Sequence, residues 1–223
     1  MEKRKRRLNQ RTILVIVAHP DDETLWCGGT ILSNPQDDWY VVSLCRAFDT
    51  DRAPRFYKAL EALGAQGTMG SLNDDAAQTP LALEKVQEVI ETLVPQRAFD
   101  LIITHNPSGE YTRHLRHEEV SRAVIQLWSD GVIKAKELWT FAYNDGNGSH
   151  IPDVTEGAPL KQLLNTLIWK RKYRIITRIY GFTSKSFEAR TTPRREAFWQ
   201  FKTTMHAMEW IHKDGNAAQF NHL

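Results

Sequence analysis

From residue 12 onward the chain alternates short runs rich in β-branched and aromatic residues with segments whose apolar residues recur every three or four positions. That alternation predicts a parallel sheet covered by helices. Strands are expected at Thr12 to Ala18, Trp39 to Leu44, Phe99 to Thr104 and Glu137 to Tyr143, with a weaker one near Gly67 to Gly70. Helices are expected at Asp22 to Leu32, Ala53 to Leu63, Leu81 to Leu93 and Leu115 to Trp128, the second ended by Gly64 as a C′ glycine. After Tyr143 the pattern breaks. Asn144 to Gly148 is a turn-rich loop, and the remainder reads as helices at Leu160 to Trp169 and Thr192 to Trp210 around a strand from Tyr173 to Tyr180. The expected architecture is an α/β, Rossmann-like three-layer sandwich: a mostly parallel sheet with helices on both faces.

The length of 223 residues, with no internal repeat and no long linker, fits a basic tail over residues 1–11 and one domain over 12–223. Within that domain, residues 12–145 should form the Rossmann-like core with the site, and 146–223 an extension that shapes a cleft. No apolar run approaches the ~20 residues of a membrane helix, and the basic opening leads into no signal-type apolar stretch, so a cytoplasmic protein without a transmembrane segment is expected. Cys27 and Cys45 lack CxxC spacing and give little support to zinc-thiolate or disulfide chemistry. A net charge of +2 does not announce a nucleic-acid partner. The local clusters, the N-terminal tract and Lys170-Arg171-Lys172 with Arg174 and Arg178, read as a solvated tail and a solvated element face.

In open α/β sheets ligands sit beyond the carboxyl ends of the strands, which selects the segments after Ala18 and after Thr104. In the first, His19 leaves the strand, Pro20 sets a turn, and Asp22 follows three positions later, so both side chains can reach one ion. Asp21 would point elsewhere, and a carboxylate beside a metal without ligating it can take a proton from the water the metal activates. Pro20-Asp21-Asp22-Glu23 is equally a good helix start, with acidic groups at the positive end of the dipole, so this segment alone decides nothing. In the second segment His114 and His117 share a helical face, a spacing also found on idle surfaces. Joint placement after two strands of one sheet changes the balance. Two histidines and one aspartate form a common catalytic-zinc complement with a position left for water, and the same set suits Fe(II). Which of His114 and His117 binds the ion is open at this point.

Ala18-His19-Pro20-Asp21-Asp22-Glu23 after the first strand, followed by Gly109-Glu110-Tyr111-x-x-His114-x-x-His117, resembles the PIG-L (LmbE-like) family of metal-dependent N-deacetylases. The likeness runs from Thr12 to about Trp128 and includes Thr104-His105-Asn106-Pro107. It implies His19, Asp22 and His117 as zinc ligands, Asp21 as general base, and His114 as the residue that stabilises the tetrahedral intermediate or protonates the leaving amine. Tyr111 is implied as an oxyanion donor, although two residues separate it from His114 where some members have one. Arg52 matches a substrate-side arginine, Arg55 stands where the family often has Glu, and an acidic residue after the third strand is Asp74 or Asp75. The implied substrate is a small molecule or glycoconjugate carrying N-acetylglucosamine, the implied cofactor Zn2+ with Fe2+ as the second choice, and a homo-oligomer is compatible with the family.

Trp26, Trp139, Tyr143 and the loop from Asn144 to His150 are candidates for sugar contacts, but both tryptophans fall in apolar-periodic elements and read better as core. Cys27 reads as a small core residue. His105 and His150 read as solvent-facing or simply hydrogen-bonded rather than as cleft residues. An amidase on a non-sugar acyl amide would use the same residues. A non-catalytic binding protein on this scaffold would not need Asp21 beside a full ligand set, and a dinucleotide dehydrogenase would need GxGxxG where this chain has acidic residues.

Overall fold

A computed structural model describes residues 10–112 and 114–213. Its central sheet has seven strands in the order β3-β2-β1-β4-β5-β9-β8. The first five in sequence, β1 (Thr12–Val17), β2 (Asp38–Cys45), β3 (Gln66–Leu72), β4 (Phe99–Thr104) and β5 (Ala135–Phe141), run parallel. Each is followed by a helix on the expected pattern up to β4: α1 (Asp22–Ser33), α2 (Arg52–Leu63), α3 (Leu83–Leu93) and α4 (Leu115–Ser129). Gly64 ends α2 at φ 76°, a left-handed conformation that glycine adopts without steric penalty.

β1 is buried on both faces, which is why it reads as an unbroken apolar run rather than an alternation. Ile13, Val15 and Val17 pack with α1 and α2 residues such as Trp26, Ile31, Phe56 and Leu60. Leu14 and Ile16 point the other way, into a second core with Val86, Ile90, Val120 and Val124 of α3 and α4. Each such side chain, fully withdrawn from water, contributes roughly 1.5–3 kcal/mol. The three-layer α/β sandwich is thus present.

The C-terminal third differs from its pattern. Leu160–Leu163 is a strand, β8, and the helix α5 starts only at Thr166 and runs to Arg174. The segment expected as a strand, Tyr173 to Tyr180, is the end of that helix continued by a π-helical turn, Ile175–Ile179. The long helix expected from Thr192 is split into β9 (Arg195–Phe201) and α7 (Thr204–His212), after a short α6 (Phe187–Thr191). β9 pairs antiparallel with β5 and β8 pairs antiparallel with β9, so this third completes the sheet. A small hairpin of β6 (Tyr143–Asn144) and β7 (Asp153–Val154) lies between.

A buried ion pair fastens the extension to the core. Lys172 of α5 places Nζ 2.6 Å from Glu196 Oε1, and Glu196 also accepts from the Gly29 and Thr30 amides and the Thr30 hydroxyl. Gly29 has no room for a Cβ because Leu164 closes on it. The Trp26 carbonyl, four residues before Thr30, is taken by the Tyr143 hydroxyl. Of the expected tail, Arg11 is docked by a two-pronged pairing with Asp37, and residues 1–9 lie outside the described residues.

Candidate metal centre

The strand order places the ends of β1 and β4 side by side where the sheet changes direction, and the two chemical segments leave from those ends. Asp21 and Asp22 open α1, and His114 and His117 open α4. Asp21 is held at φ 127°, a costly conformation for a residue with a Cβ. Its amide donates to the buried Glu23 carboxylate, which in turn receives the Thr24 and Tyr180 hydroxyls.

Three atoms form a near-equilateral triangle. His19 Nδ1 to Asp22 Oδ2, His117 Nε2 to Asp22 Oδ2, and His117 Nε2 to His19 Nδ1 are each 3.3 Å. A tetrahedral ion with ligands at 2.0–2.1 Å separates its ligand atoms by about 3.4 Å. The ring nitrogens on the far sides are occupied: His19 Nε2 is 3.1 Å from Asp74 Oδ1, and His117 Nδ1 is 2.6 Å from Glu110 Oε2. Protons on those outer nitrogens turn two imidazole lone pairs and a carboxylate oxygen toward one point with no hydrogen between them. Such a donor set fits a cation.

Around this triangle sits a shell of buried carboxylates and one more ring. Glu110 Oε2 also meets His105 Nδ1 at 2.9 Å, and Oε1 accepts the Asn106 amide. Burial alone would push Glu110 up; the His105 and His117 rings bring it down to about 2. His105 is fully buried and stacked on His117 at 3.9 Å. Glu110 and Asp22 favour a second proton on His105, but Ala18 N–H points at Nε2 from 3.0 Å and occupies that lone pair, which keeps the ring neutral with its proton toward Glu110. Asp74 is likewise pushed up by burial and brought down to about 2 by His19 and Arg46.

Asp21 stands beside the triangle. Burial first, then the charge of Asp22, push its carboxyl well above the usual range against the pull of Arg52, whose Nη1 is 3.2 Å from Asp21 Oδ2. Burial and the neighbouring His117 and His19 rings hold His114 down to about 3, so at neutral pH it is an uncharged imidazole, and a donor role for it is that of a neutral N–H. Its ring lies 4.6 Å from His19 and 4.5 Å from His117, and the three histidines are themselves close enough to share an ion. Burial, with nearby carboxylates, pushes the Tyr111 phenol up and keeps it protonated.

A cleft of about 560 Å³ opens onto these groups, lined by His19, Asp21, Asp22, Arg46, Arg52, Tyr111, His114, Phe187 and Glu188 among others. The expected site residues therefore converge with one adjustment. Asp74 was expected on the substrate side, yet both its oxygens are engaged, one by His19 and the other by Arg46 at 2.6 Å, so it braces a histidine instead. Asp75 turns to Asn73 and Thr79 outside the cleft. Arg55 binds the Ile179 and Tyr180 carbonyls and so joins α2 to the extension. Trp26 is core, and its Nε1 donates to Asp22 Oδ1; Trp139 packs on Phe198. His150 is an exposed residue bonded to the Ile151 carbonyl, as expected. Cys45 lies near His19 and Asp74, but burial pushes its thiol up and makes it a poor ligand.

Sequence reasoning did not assign Glu110, Arg46, Phe187 or Glu188, and it gave His105 no place in the site. Glu110 sits inside the second motif, where a carboxylate among metal-type histidines was a usable signal. Phe187 and Glu188 carried none, because only the course of the extension brings α6 over the cleft.

A mostly parallel sheet with a His-Asp-His donor set at its switch point defines an α/β protein with a candidate metal centre. The chain belongs to the PIG-L family, whose model, described as GlcNAc-PI de-N-acetylase, matches residues 14–128. It is 25% identical over 147 residues to an uncharacterised protein of Acanthamoeba polyphaga mimivirus; the match covers 59% of this chain and 61% of that relative's length. Its fold is similar to that of N,N'-diacetylchitobiose deacetylase from Pyrococcus horikoshii, with a TM-score of 0.62, 15% identity, and 87% and 85% of the two chains covered. It is also similar to GalB, the 4-carboxy-2-hydroxymuconate hydratase of Pseudomonas putida, with a TM-score of 0.54, 14% identity, and 86% and 96% covered. At these identities the likeness to the solved structures is one of fold.

Proposed function

We propose that this protein is a metal-dependent N-deacetylase that hydrolyses the acetamide of an N-acetylglucosamine unit in a small molecule or glycoconjugate. The observation that carries this reading is the 3.3 Å triangle of His19, Asp22 and His117 with Asp21, half-buried at the cleft, beside it. Family membership and the fold shared with a diacetylchitobiose deacetylase support the substrate class.

In this reading His19, Asp22 and His117 hold Zn2+, with Fe2+ the second choice for the same donors. When bound, the metal supplies a Lewis acid that polarises the acetamide carbonyl and lowers the pKa of water. Asp21 accepts the proton of the attacking water, a task that suits a carboxylate standing beside the donor triangle without belonging to it. Arg52 holds one Asp21 oxygen in place. The His114 N–H and the Tyr111 hydroxyl line the cleft as donors toward the developing oxyanion. The leaving nitrogen needs a proton, which Asp21 can return. Residues 12–145 carry the metal centre and residues 146–223 shape the cleft through Phe187 and Glu188.

The test is acetate release from a panel of N-acetylglucosaminides, including diacetylchitobiose, with and without chelator. Chelator-sensitive release from the sugars is expected. Release only from non-sugar acyl amides would reassign the substrate, and no release from any amide would end the deacetylase reading.

A further inference from the structure

The near-neutral total charge conceals a strong asymmetry. Between residues 161 and 195 the chain carries ten Lys and Arg against one acidic residue, Glu188, a local net of +9. With the whole chain at +2, the remainder carries −7.

Part of this charge is concentrated on one helical face. Leu167, Lys170, Arg171, Arg174 and Arg178 follow the i, i+3, i+4, i+7, i+11 spacing of one stripe along α5 and its π-helical continuation, and all five are exposed. The opposite stripe, with Lys172, Ile175 and Ile176, is buried against the core. Among the described residues Lys170, Arg171, Arg174 and Arg178 make no ion pair, and neither do the exposed Lys185 and Arg190 that follow. The helix dipole favours Arg178 in the last turn, but Lys170, Arg171 and Arg174 lie beyond the reach of that end. Like charges at these spacings destabilise a helix, so the stripe does nothing for folding.

The same face exposes an aliphatic side chain, Leu167, at 75%. Beside cations, an exposed leucine distinguishes between polyanions. Phosphates of a nucleic acid offer an aliphatic side chain no partner, and stacking on bases calls for aromatic rings. An anionic bilayer offers both headgroup charge for the cations and an acyl boundary for the leucine.

We propose that the α5 face docks this protein on an anionic lipid surface, with Lys170, Arg171 and Arg174 at the headgroups and Leu167 at the acyl boundary. The site is distinct from the metal centre, and the proposal does not depend on the deacetylase reading.

Flotation of the full chain with vesicles of phosphatidylcholine, and of phosphatidylcholine with about one third phosphatidylserine, tests it. Expected are binding to the anionic vesicles only, loss of that binding with added salt, and at least a tenfold reduction in K170E/R171E/R174E. L167S should also bind the vesicles several-fold more weakly. All these positions are exposed; unchanged circular dichroism and thermal unfolding identify folded variants, and the wild-type salt dependence stands without any variant. Absent binding at low salt, equal binding to both vesicle types, or indifference to the charge changes would overturn the proposal. Tighter retention on duplex DNA than on anionic vesicles, with the leucine variant binding both like wild type, would also overturn it and mark a nucleic-acid face.

Discussion

Glu110 Oε2 lies 2.6 Å from Nδ1 of His117, a fully buried contact between a carboxylate and a ring whose other nitrogen faces the donor triangle. The contact fixes the ring's proton on the outer nitrogen and aims the Nε2 lone pair at Asp22 and His19. Glu110→Gln should therefore keep the fold and lower metal affinity by about 10–100-fold, the effect usual for partners of metal-bound histidines. Zinc competition titration on the purified variant checks this. Unchanged affinity would remove Glu110 from the centre.

The α5–β9 fastening should be a stability element with no part in chemistry. Lys172→Met leaves Glu196 buried and charged, with three donors remaining from Gly29 and Thr30. Breaking one side of such a pair costs about 3–5 kcal/mol. Urea unfolding of the variant should show a loss of that size with the m-value unchanged, and a loss under about 1 kcal/mol would contradict the role given to the pair.

Asp100 predicts a pH signature away from the metal centre. Burial would push its carboxyl up, but Lys136 and the Thr12 amide and hydroxyl bring it down to about 2. A depressed carboxylate contributes stability that is fully present above its ordinary value near 4 and lost as the pH falls toward 2. The difference in melting temperature between wild type and Asp100→Asn should be constant above about pH 5 and shrink below it. A difference that stays flat down to about pH 2 would show that Asp100 carries no such linkage.

Phe187 reaches the cleft only because the extension folds back over it, its ring 4.9 Å from Tyr111. Phe187→Ala should raise KM for an N-acetylglucosaminide by about 3–10-fold while changing kcat little, as expected when binding common to ground and transition states is removed. Steady-state kinetics separate the two. A fall in kcat with KM unchanged would place Phe187 in the chemistry instead.

How far the sequence carried these conclusions differs along the chain. The β1–α1 and β4–α4 units were legible because each buries a continuous or strictly periodic apolar face, and the spacing of His19, Asp21, Asp22, His114 and His117 survives folding within two helix starts. The extension was not. Tyr173 to Tyr180 is rich in β-branched residues, yet packing of Ile175 and Ile176 on α1 and α2 residues makes it helical, a tertiary override of propensity. Arg195 to Phe201 did not look like a strand because Glu196 is polar and wholly buried, a position explained only by partners distant in sequence, Lys172 and the donors of Gly29 and Thr30. Glu110 stood inside the second motif, but its two histidine partners are set by the course of the loop after β4, not by a helical or extended period.

The central claim is that His19, Asp22 and His117 hold the metal while Asp21 moves the proton. Metal content and acetate release measured on the same preparations of wild type, His19→Ala and Asp21→Asn test it most directly. The account predicts a metal-bearing, active wild type, a His19→Ala protein that has lost its metal, and an Asp21→Asn protein that keeps its metal while turnover falls by about 100-fold or more. An Asp21→Asn protein that releases acetate at the wild-type rate, or a His19→Ala protein that retains full metal, would contradict it.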